Sequence, residues 1–152
     1  MHVVNEPTAH DPEGRLFGFE RLDAYRVAIA FAELAHPLAR RLPRTKGQIG
    51  DQLERAAESI VLRIAEAAGC ELKSADQRRH FRAARGSAME CAAVLELCRI
   101  RGVGTPAQLP QARLLLWRLV CMLSRLAGCR GGQLRKRHAE RGSAQLASKS
   151  RL

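Results

Sequence analysis

A pair of ligand-type side chains first raises the question of metal chemistry. Glu33 and His36 form an E-x-x-H unit, which supplies di-iron ligands in ferritin-like bundles. A di-iron site needs this unit twice, together with a glutamate from each of two other helices. The second copy is missing, because Gln77 stands in the acidic position three residues before His80, and two arginines between them make a poor ligand environment. We therefore expect no metal and no cofactor, with His36 on a helix surface.

The cysteines and glycines do not suggest catalysis either. The sequence contains no C-x-x-C pair, and its five cysteines are Cys70, Cys91, Cys98, Cys121 and Cys129. Four of the five fall within or at the ends of apolar helical patterns, which predicts reduced thiols packed as small hydrophobes. The segments "RGVGTP" and "RGGQ" lack the spacing of a phosphate-binding loop. We expect no catalytic residues and no enzymatic activity.

The basic residues offer a binding function. The formal net charge is +11, which favours a polyanion, although a GC-rich genome also raises arginine content without any binding role. Arginine and lysine neutralise phosphates without requiring a particular fold, and contact with the nucleic-acid backbone is the expected mode. The predicted nucleic-acid-binding residues are Arg40, Arg41, Arg44, Lys46, Arg78, Arg79, Arg82, Arg85, Arg135, Lys136 and Arg137.

Composition and periodicity indicate the elements that must position these residues. Aromatic residues make up only 4% of the chain, whereas 46% is hydrophobic, as is typical of packed helices rather than β-sandwiches. Apolar residues recur at helical spacing in four segments. The predicted helices span residues 20–42, 51–69, 74–101 and 110–127. Short connections between them predict an all-α, antiparallel up-down-up-down four-helix bundle.

Several residues mark the predicted helix ends. Pro37 lies inside the first pattern and should kink or break that helix. Asp51 is positioned to cap the second helix and Ser74 the third. Thr105 offers a cap for the fourth helix, but Pro110 suits its first turn. Because Pro110 would interrupt a helix begun at Thr105, we prefer a start at Pro110.

The flanking segments differ from the predicted bundle at residues 16–129. Residues 1–15 lack periodicity and predict a flexible leader, and residues 130–152 predict a basic, mobile tail. No stretch approaches the roughly 20 uncharged residues that cross a bilayer, and no basic, apolar signal begins the chain. We therefore expect a cytoplasmic protein without membrane contact.

Three segments carry a resemblance to a known group of proteins. They are "FERLDAYRVAIAFAELAHPLARRLP", "DQLERAAESIVLRIAEAAG" and "KSADQRRHFRAARGSAMECAAVLEL". In order and spacing they resemble the small bacterial four-helix-bundle proteins that include those encoded by intervening sequences of large-subunit ribosomal RNA genes. The core motif R-A-x-x-S-I-x-x-N-I-A-E-G is matched at most positions from Arg55 to Glu66, with Arg63 replacing the asparagine and Ala67 the glycine. The group is also similar to the accessory variability determinant of diversity-generating retroelements.

The resemblance implies how the chain assembles and acts. It implies a homopentameric ring that binds nucleic acid, RNA or an RNA–DNA hybrid, and a reverse transcriptase partner, without catalysis. Thin positions such as Ala56, Ser59 and Gly86 would let helices approach closely. The residues expected between protomers are Val27, Phe31, Leu34, Leu38, Ser59, Leu62 and Trp117. The alternative is a structural or protein-interaction bundle that does not bind nucleic acid.

Overall fold

A computed structural model describes residues 17–43 and 48–129 of the protein, and these residues form a helical bundle without a strand. After a 3₁₀ turn at Gly18–Arg21, the helices are α1 (Asp23–Arg40), α2 (Ile49–Gly69), α3 (Ala75–Ile100) and α4 (Gln108–Leu126). The predicted all-α class and the four helices are confirmed. The predicted leader at residues 1–15 and tail at residues 130–152 lie outside the described residues.

The four helices pack in a ring-like order. Each helix contacts the next along the chain, and α1 also contacts α4, whereas α1 and α3, like α2 and α4, do not touch in the described part of the chain. The connections at residues 70–74 and 101–107 are too short to return a following helix to its starting end. The topology is therefore up-down-up-down, with α2 and α4 on opposite corners.

The core contains most of the apolar stripes that the periodicity predicts. In α2, Leu53, Ile60 and Ile64 are fully buried, and in α3 the stripe from Phe81 to Cys98 is buried throughout. In α4 the predicted inward residue Leu126 is instead exposed, and Ala127 is buried beside it. Burying one such aliphatic side chain contributes about 1.5–3 kcal/mol to folding.

The oligomer contacts predicted on α1 are wrong for three residues. Val27, Phe31 and Leu38 are 8%, 0% and 0% exposed within a single protomer, and Leu34 is half-buried against the same core. The reason is that α1 packs on both α2 and α4. Two apolar stripes on α1 are thus covered by two neighbouring helices of the same chain, and no second copy is needed to cover them.

The predicted break at Pro37 does not occur, because α1 continues through Pro37 to Arg40. The predicted cap of α2 is wrong. Gln48, not Asp51, occupies the N-cap position of α2. Asp51 lies within the first turn, where a negative charge is favourable, and its carboxylate lies 2.9 Å from Nη2 of Arg55.

The predicted cap at Ser74 forms, whereas Thr105 lies before the N-cap position of α4, which is Ala107. The hydroxyl of Ser74 accepts a hydrogen bond of 3.0 Å from the backbone N–H of Gln77. Thr105 and Gln108 bond reciprocally through side chain and backbone, each at 3.1 Å. α4 begins at Gln108, so Pro110 lies within its first turn, where the missing N–H costs nothing. The preferred start at Pro110 is therefore two residues late, and the Thr105–Gln108 pair closes the turn that precedes α4.

Small residues bring two pairs of helices close together. Ser87 of α3 donates a hydrogen bond of 3.0 Å to Ser59 of α2. Ala56, three residues before Ser59 in α2, is buried. At the other contact, a Cβ on Gly50 would lie 2.7 Å from the carbonyl oxygen of Ala39 in α1. Gly86 differs, because a Cβ there meets nothing within 4 Å. Gly86 therefore plays no part in packing the described helices of one protomer.

Candidate nucleic-acid interface

Charge is distributed unequally over the bundle. α2 contains Asp51, Glu54, Glu58 and Glu66 but only two arginines. α4 contains Arg113, Arg118 and Arg125 and no acidic residue. Because α2 and α4 occupy opposite corners, the acidic and basic residues lie on opposite sides. The side formed by α3 and α4 is the one that attracts a polyanion.

Arginines of α3 and α4 form the arginine cluster of this side. Arg78, Arg82 and Arg85 are spaced four and three residues apart, which places them on one face of α3. Arg85 donates from Nε to Oγ of Ser124 in α4 over 2.9 Å, so this face adjoins α4. Arg78 and Arg125 line a common groove of about 560 Å³. We define the arginine cluster as Arg78, Arg82, Arg85, Arg118 and Arg125.

Members of the cluster differ in their existing contacts. Arg82, Arg118 and Arg125 are exposed, and none of them pairs with a carboxylate within the described residues. Arg78 is half-buried and donates to the backbone carbonyl of Lys73. Three guanidinium groups of the cluster therefore face solvent with their donors available.

The remaining predicted basic residues are not in this cluster. Arg79 holds the Asp76 carboxylate from Nε and Nη2 at 3.0 and 2.7 Å. Arg40 and Arg41 are exposed at the carboxyl end of α1, and the up-down-up-down topology puts that end far from the amino end of α3. The structure therefore separates the predicted nucleic-acid-binding residues into those of the arginine cluster and those elsewhere in the protein. Those of its members that lie outside the described residues are Arg44, Lys46, Arg135, Lys136 and Arg137.

Two cluster residues, Arg118 and Arg125, were missed by the sequence analysis. Their seven-residue separation places both on one face of α4, which is a usable signal. The apolar stripe of α4 indicated only which side of this helix faces the core. Only the tertiary structure shows that Arg125 shares a groove with Arg78 of α3. Arg125 also lines a second groove with Leu22 and Asp23 at the start of α1.

The two helices that carry the arginine cluster also carry exposed apolar side chains. They are Met89, Leu97 and Ile100 of α3 and Leu114 and Trp117 of α4, and we call them the α3–α4 apolar patch. An ion pair of 2.9 Å between Glu96 of α3 and Arg113 of α4 joins the two helices at this level. The hydrogen bond from Arg99 lowers the pKa of Glu96, and Arg113 lowers it further. The patch and the cluster share one side of the bundle.

The predicted interface residues outside α1 have different positions. Trp117 is 67% exposed within this patch, and Leu62 is 62% exposed on α2. Ser59 is half-buried and bonded to Ser87 within the protomer. Thus Leu62 and Trp117 are available for contact with another chain, whereas the hydroxyl of Ser59 accepts a hydrogen bond within its own protomer.

Two cysteines are buried in the core, and His36 contacts an acidic residue of another helix. Cys91 and Cys98 are buried, and burial raises the pKa of the Cys91 thiol to about 12, so it remains protonated at neutral pH. His36 is half-buried, with Nδ1 3.3 Å from Oε1 of Glu54 on α2, so its close acidic neighbour lies on another helix and not at Glu33. No helix in the described ranges is both long and apolar enough to span a membrane.

Comparison with known families adds one match. The family model for the 23S rRNA-intervening sequence protein matches residues 20–125, a range that runs from the 3₁₀ turn to the last arginine of the cluster. The chain belongs to this family. No curated protein sequence matches the chain.

The α2 motif of this intervening-sequence protein is explained by the contacts of its polar residues. Ser59 bonds Ser87 across the α2–α3 contact. Glu66 lies 2.9 Å from Nη1 of Arg63 and 3.0 Å from Nδ1 of His80. Arg63, which replaces an asparagine of the motif, therefore supplies a charged partner for the motif glutamate.

Proposed function

We propose that this intervening-sequence protein is a non-catalytic, oligomeric scaffold that binds nucleic acid through its arginine cluster. The observation that supports this most is the placement of solvent-facing arginines on a side whose helix α4 carries no acid. RNA or an RNA–DNA hybrid is the proposed ligand, in keeping with the resemblance to the retroelement accessory proteins.

The chemistry of the cluster favours contact with phosphates over reading of bases. A guanidinium group presents several N–H donors in a planar fork that matches phosphate oxygens. Exposed arginines that displace condensed counterions contribute affinity regardless of sequence. Because Arg82, Arg118 and Arg125 already face solvent, binding requires no existing ion pair to be broken.

The α3–α4 apolar patch supports self-association. Trp117 and Ile100 are each 67% exposed, and large apolar side chains exposed on neighbouring helices favour an interaction site. The proposed assembly is a homo-oligomer, with a pentamer favoured by the family resemblance. In such an assembly each copy would bring its arginine cluster close to that of a neighbour, which multiplies the affinity for a continuous polyanion.

The proposed partners and location follow from the same resemblance. A reverse transcriptase is the proposed protein partner, and the cytoplasm is the proposed location. Pull-down from cells with the tagged full chain tests the partner, and fractionation of the same cells tests the location.

The direct test measures binding as a function of salt. Fluorescence anisotropy with a labelled single-stranded RNA and a labelled RNA–DNA hybrid compares the wild type with an Arg82→Ala/Arg125→Ala variant. The control is Arg26→Ala/Arg55→Ala, which removes the same charge from α1 and α2, where both arginines pair with aspartates.

The expected result is a steep fall of affinity with salt that the cluster variant reduces. Each lost phosphate contact should lower the slope of log K against log salt by about 0.7–0.9, and the control should keep the wild-type slope. Affinity that does not depend on salt, or equal losses in both variants, contradicts the proposal. An assembled protein that binds neither ligand is instead a structural or protein-interaction module.

A further inference from the structure

The turn between α2 and α3 brings together a thiol, a carboxylate and an imidazole. Cys70 is the C-cap residue of α2, and Asp76 and His80 lie four residues apart on the first turns of α3. One potential ligand atom from each of the three lies within 4.8 Å of the others. Sγ of Cys70 is 3.6 Å and Nε2 of His80 is 4.0 Å from the same atom, Oδ2 of Asp76.

The surroundings of His80 orient its ring for metal binding. Its side chain is only 13% exposed, and Nδ1 lies 3.0 Å from Oε2 of Glu66. When Nδ1 donates its proton to this carboxylate, the lone pair is left on Nε2, the nitrogen nearer to Asp76. A carboxylate that holds the second nitrogen of a histidine is the usual support of a zinc ligand.

The two oxygens of the Asp76 carboxylate have different neighbours. Oδ1 accepts both hydrogen bonds from Arg79, which fixes the plane of the carboxylate. Oδ2 faces Cys70 and His80. An aspartate held in this way can give one oxygen to a cation without reorganising.

The separations of Cys70 and His80 from Asp76 are close to those around a tetrahedral zinc ion, and Cys70 and His80 have ligand atoms within 4.8 Å of each other. Ligand atoms bound to one such ion lie about 3.3–3.6 Å apart, given bonds of about 2.0–2.3 Å to nitrogen, oxygen and sulfur. The separation of Cys70 Sγ from Asp76 Oδ2, 3.6 Å, already matches. The 4.0 Å separation of His80 Nε2 from the same oxygen closes with a small side-chain rotation.

We propose that Cys70, Asp76 and His80 bind one zinc ion that joins the end of α2 to the start of α3. Thiolate and imidazole are ligands that zinc prefers and that magnesium and calcium do not. Three protein ligands leave a fourth position for water, since Cys70 is half-buried and Asp76 exposed. The site lies where α2 meets α3, with Arg78 of the arginine cluster two residues from Asp76, and it does not depend on the proposed binding of nucleic acid.

A second group in the protein provides an internal control. His36, Glu54 and Glu58 also place ligand atoms within 4.8 Å of one another, but this group contains no thiol. Zinc bound there would lack the absorption of a metal thiolate. Substitution at His36 thus distinguishes the two groups.

The test uses the full chain after treatment with a chelator. Cobalt(II) is titrated into the wild type, Cys70→Ser and His80→Gln, with Cys121→Ser and His36→Gln as controls for the loss of another half-buried cysteine and of the second group. The wild type and both controls should show a near-ultraviolet thiolate-to-cobalt absorption band that saturates at one ion per chain. Zinc should displace the cobalt, with a dissociation constant tighter than about 10 μM.

Thermal unfolding gives a second measurement. Zinc at about a hundredfold excess over its dissociation constant should raise the Tm of the wild type by at least about 5 °C and leave that of Cys70→Ser unchanged. Circular dichroism confirms that each variant is folded. Absence of zinc binding, an absorption band retained by Cys70→Ser and His80→Gln, or a band lost in Cys121→Ser or His36→Gln overturns the proposal.

Discussion

Ser87 on α3 donates a hydrogen bond of 3.0 Å to Ser59 on α2, and both side chains are half-buried between the two helices. This contact explains why α2 carries a small polar residue in an otherwise apolar helical pattern. The serine pair keeps the backbones close and satisfies both hydroxyl groups, which would cost free energy if they were buried without a partner.

The first prediction concerns this serine pair. Ser59→Ala and Ser87→Ala should each lower the free energy of unfolding by about 0.5–1.5 kcal/mol, and the double variant should lose less than the sum, because each single change leaves the other hydroxyl without its partner. Urea unfolding of the four proteins measures the coupling. Strict additivity would show that the two hydroxyls do not depend on each other.

The second prediction compares two glycines of opposite surroundings. Gly86→Ala should raise the free energy of unfolding by about 0.5–1 kcal/mol, because alanine favours a helix interior and its Cβ meets open space. Gly50→Ala should lower it by about 1–3 kcal/mol, because the new Cβ would lie 2.7 Å from the backbone oxygen of Ala39. Denaturant unfolding measures both, and changes of the same sign would contradict the packing described.

The third prediction concerns self-association through the α3–α4 apolar patch. Leu114→Glu/Trp117→Glu should reduce the light-scattering mass to that of a single chain of 16.8 kDa, while circular dichroism stays that of the wild type because both side chains are exposed. Leu72→Glu, which places a charge at an exposed leucine outside the patch, is the control and should keep the wild-type mass. A wild type that already has single-chain mass would refute the proposed assembly.

The fourth prediction concerns pH and the buried thiol of Cys91. Burial, assisted by Glu90, raises the pKa of this thiol from 9.0 to about 12. Between these values the unfolded chain releases a proton that the native protein retains, so rising pH favours unfolding. The stability that depends on the protonated thiol is complete below pH 9 and is lost as the pH rises toward 12.

The measurement compares urea unfolding of the wild type and Cys91→Ala at pH 8 and pH 10. The wild type should lose about 1.4 kcal/mol more than the variant over this interval, and the background from other groups cancels in the comparison. The same loss in both proteins would show that the Cys91 thiol ionises equally well in the native state.

Local pattern was enough to predict the helices. The apolar stripes of α2 and α3, the Ser74 cap and the family motif from Arg55 to Glu66 are all readable along the chain, because helical periodicity and capping depend on residues within about one or two turns of each other. The described helices agree with those predictions to within a few residues at their ends.

Tertiary structure alone decided which surfaces are covered and which residues meet. Val27 and Phe31 are buried because α1 has neighbours on two sides, and Cys70, Asp76 and His80 converge because a short turn folds α3 back on α2. The same packing brings Arg78 of α3 and Arg125 of α4 to one groove. A helical pattern fixes the angle between side chains on one helix, but the rotation of each helix toward its neighbours depends on the sum of all contacts in the bundle, and no single segment contains that information.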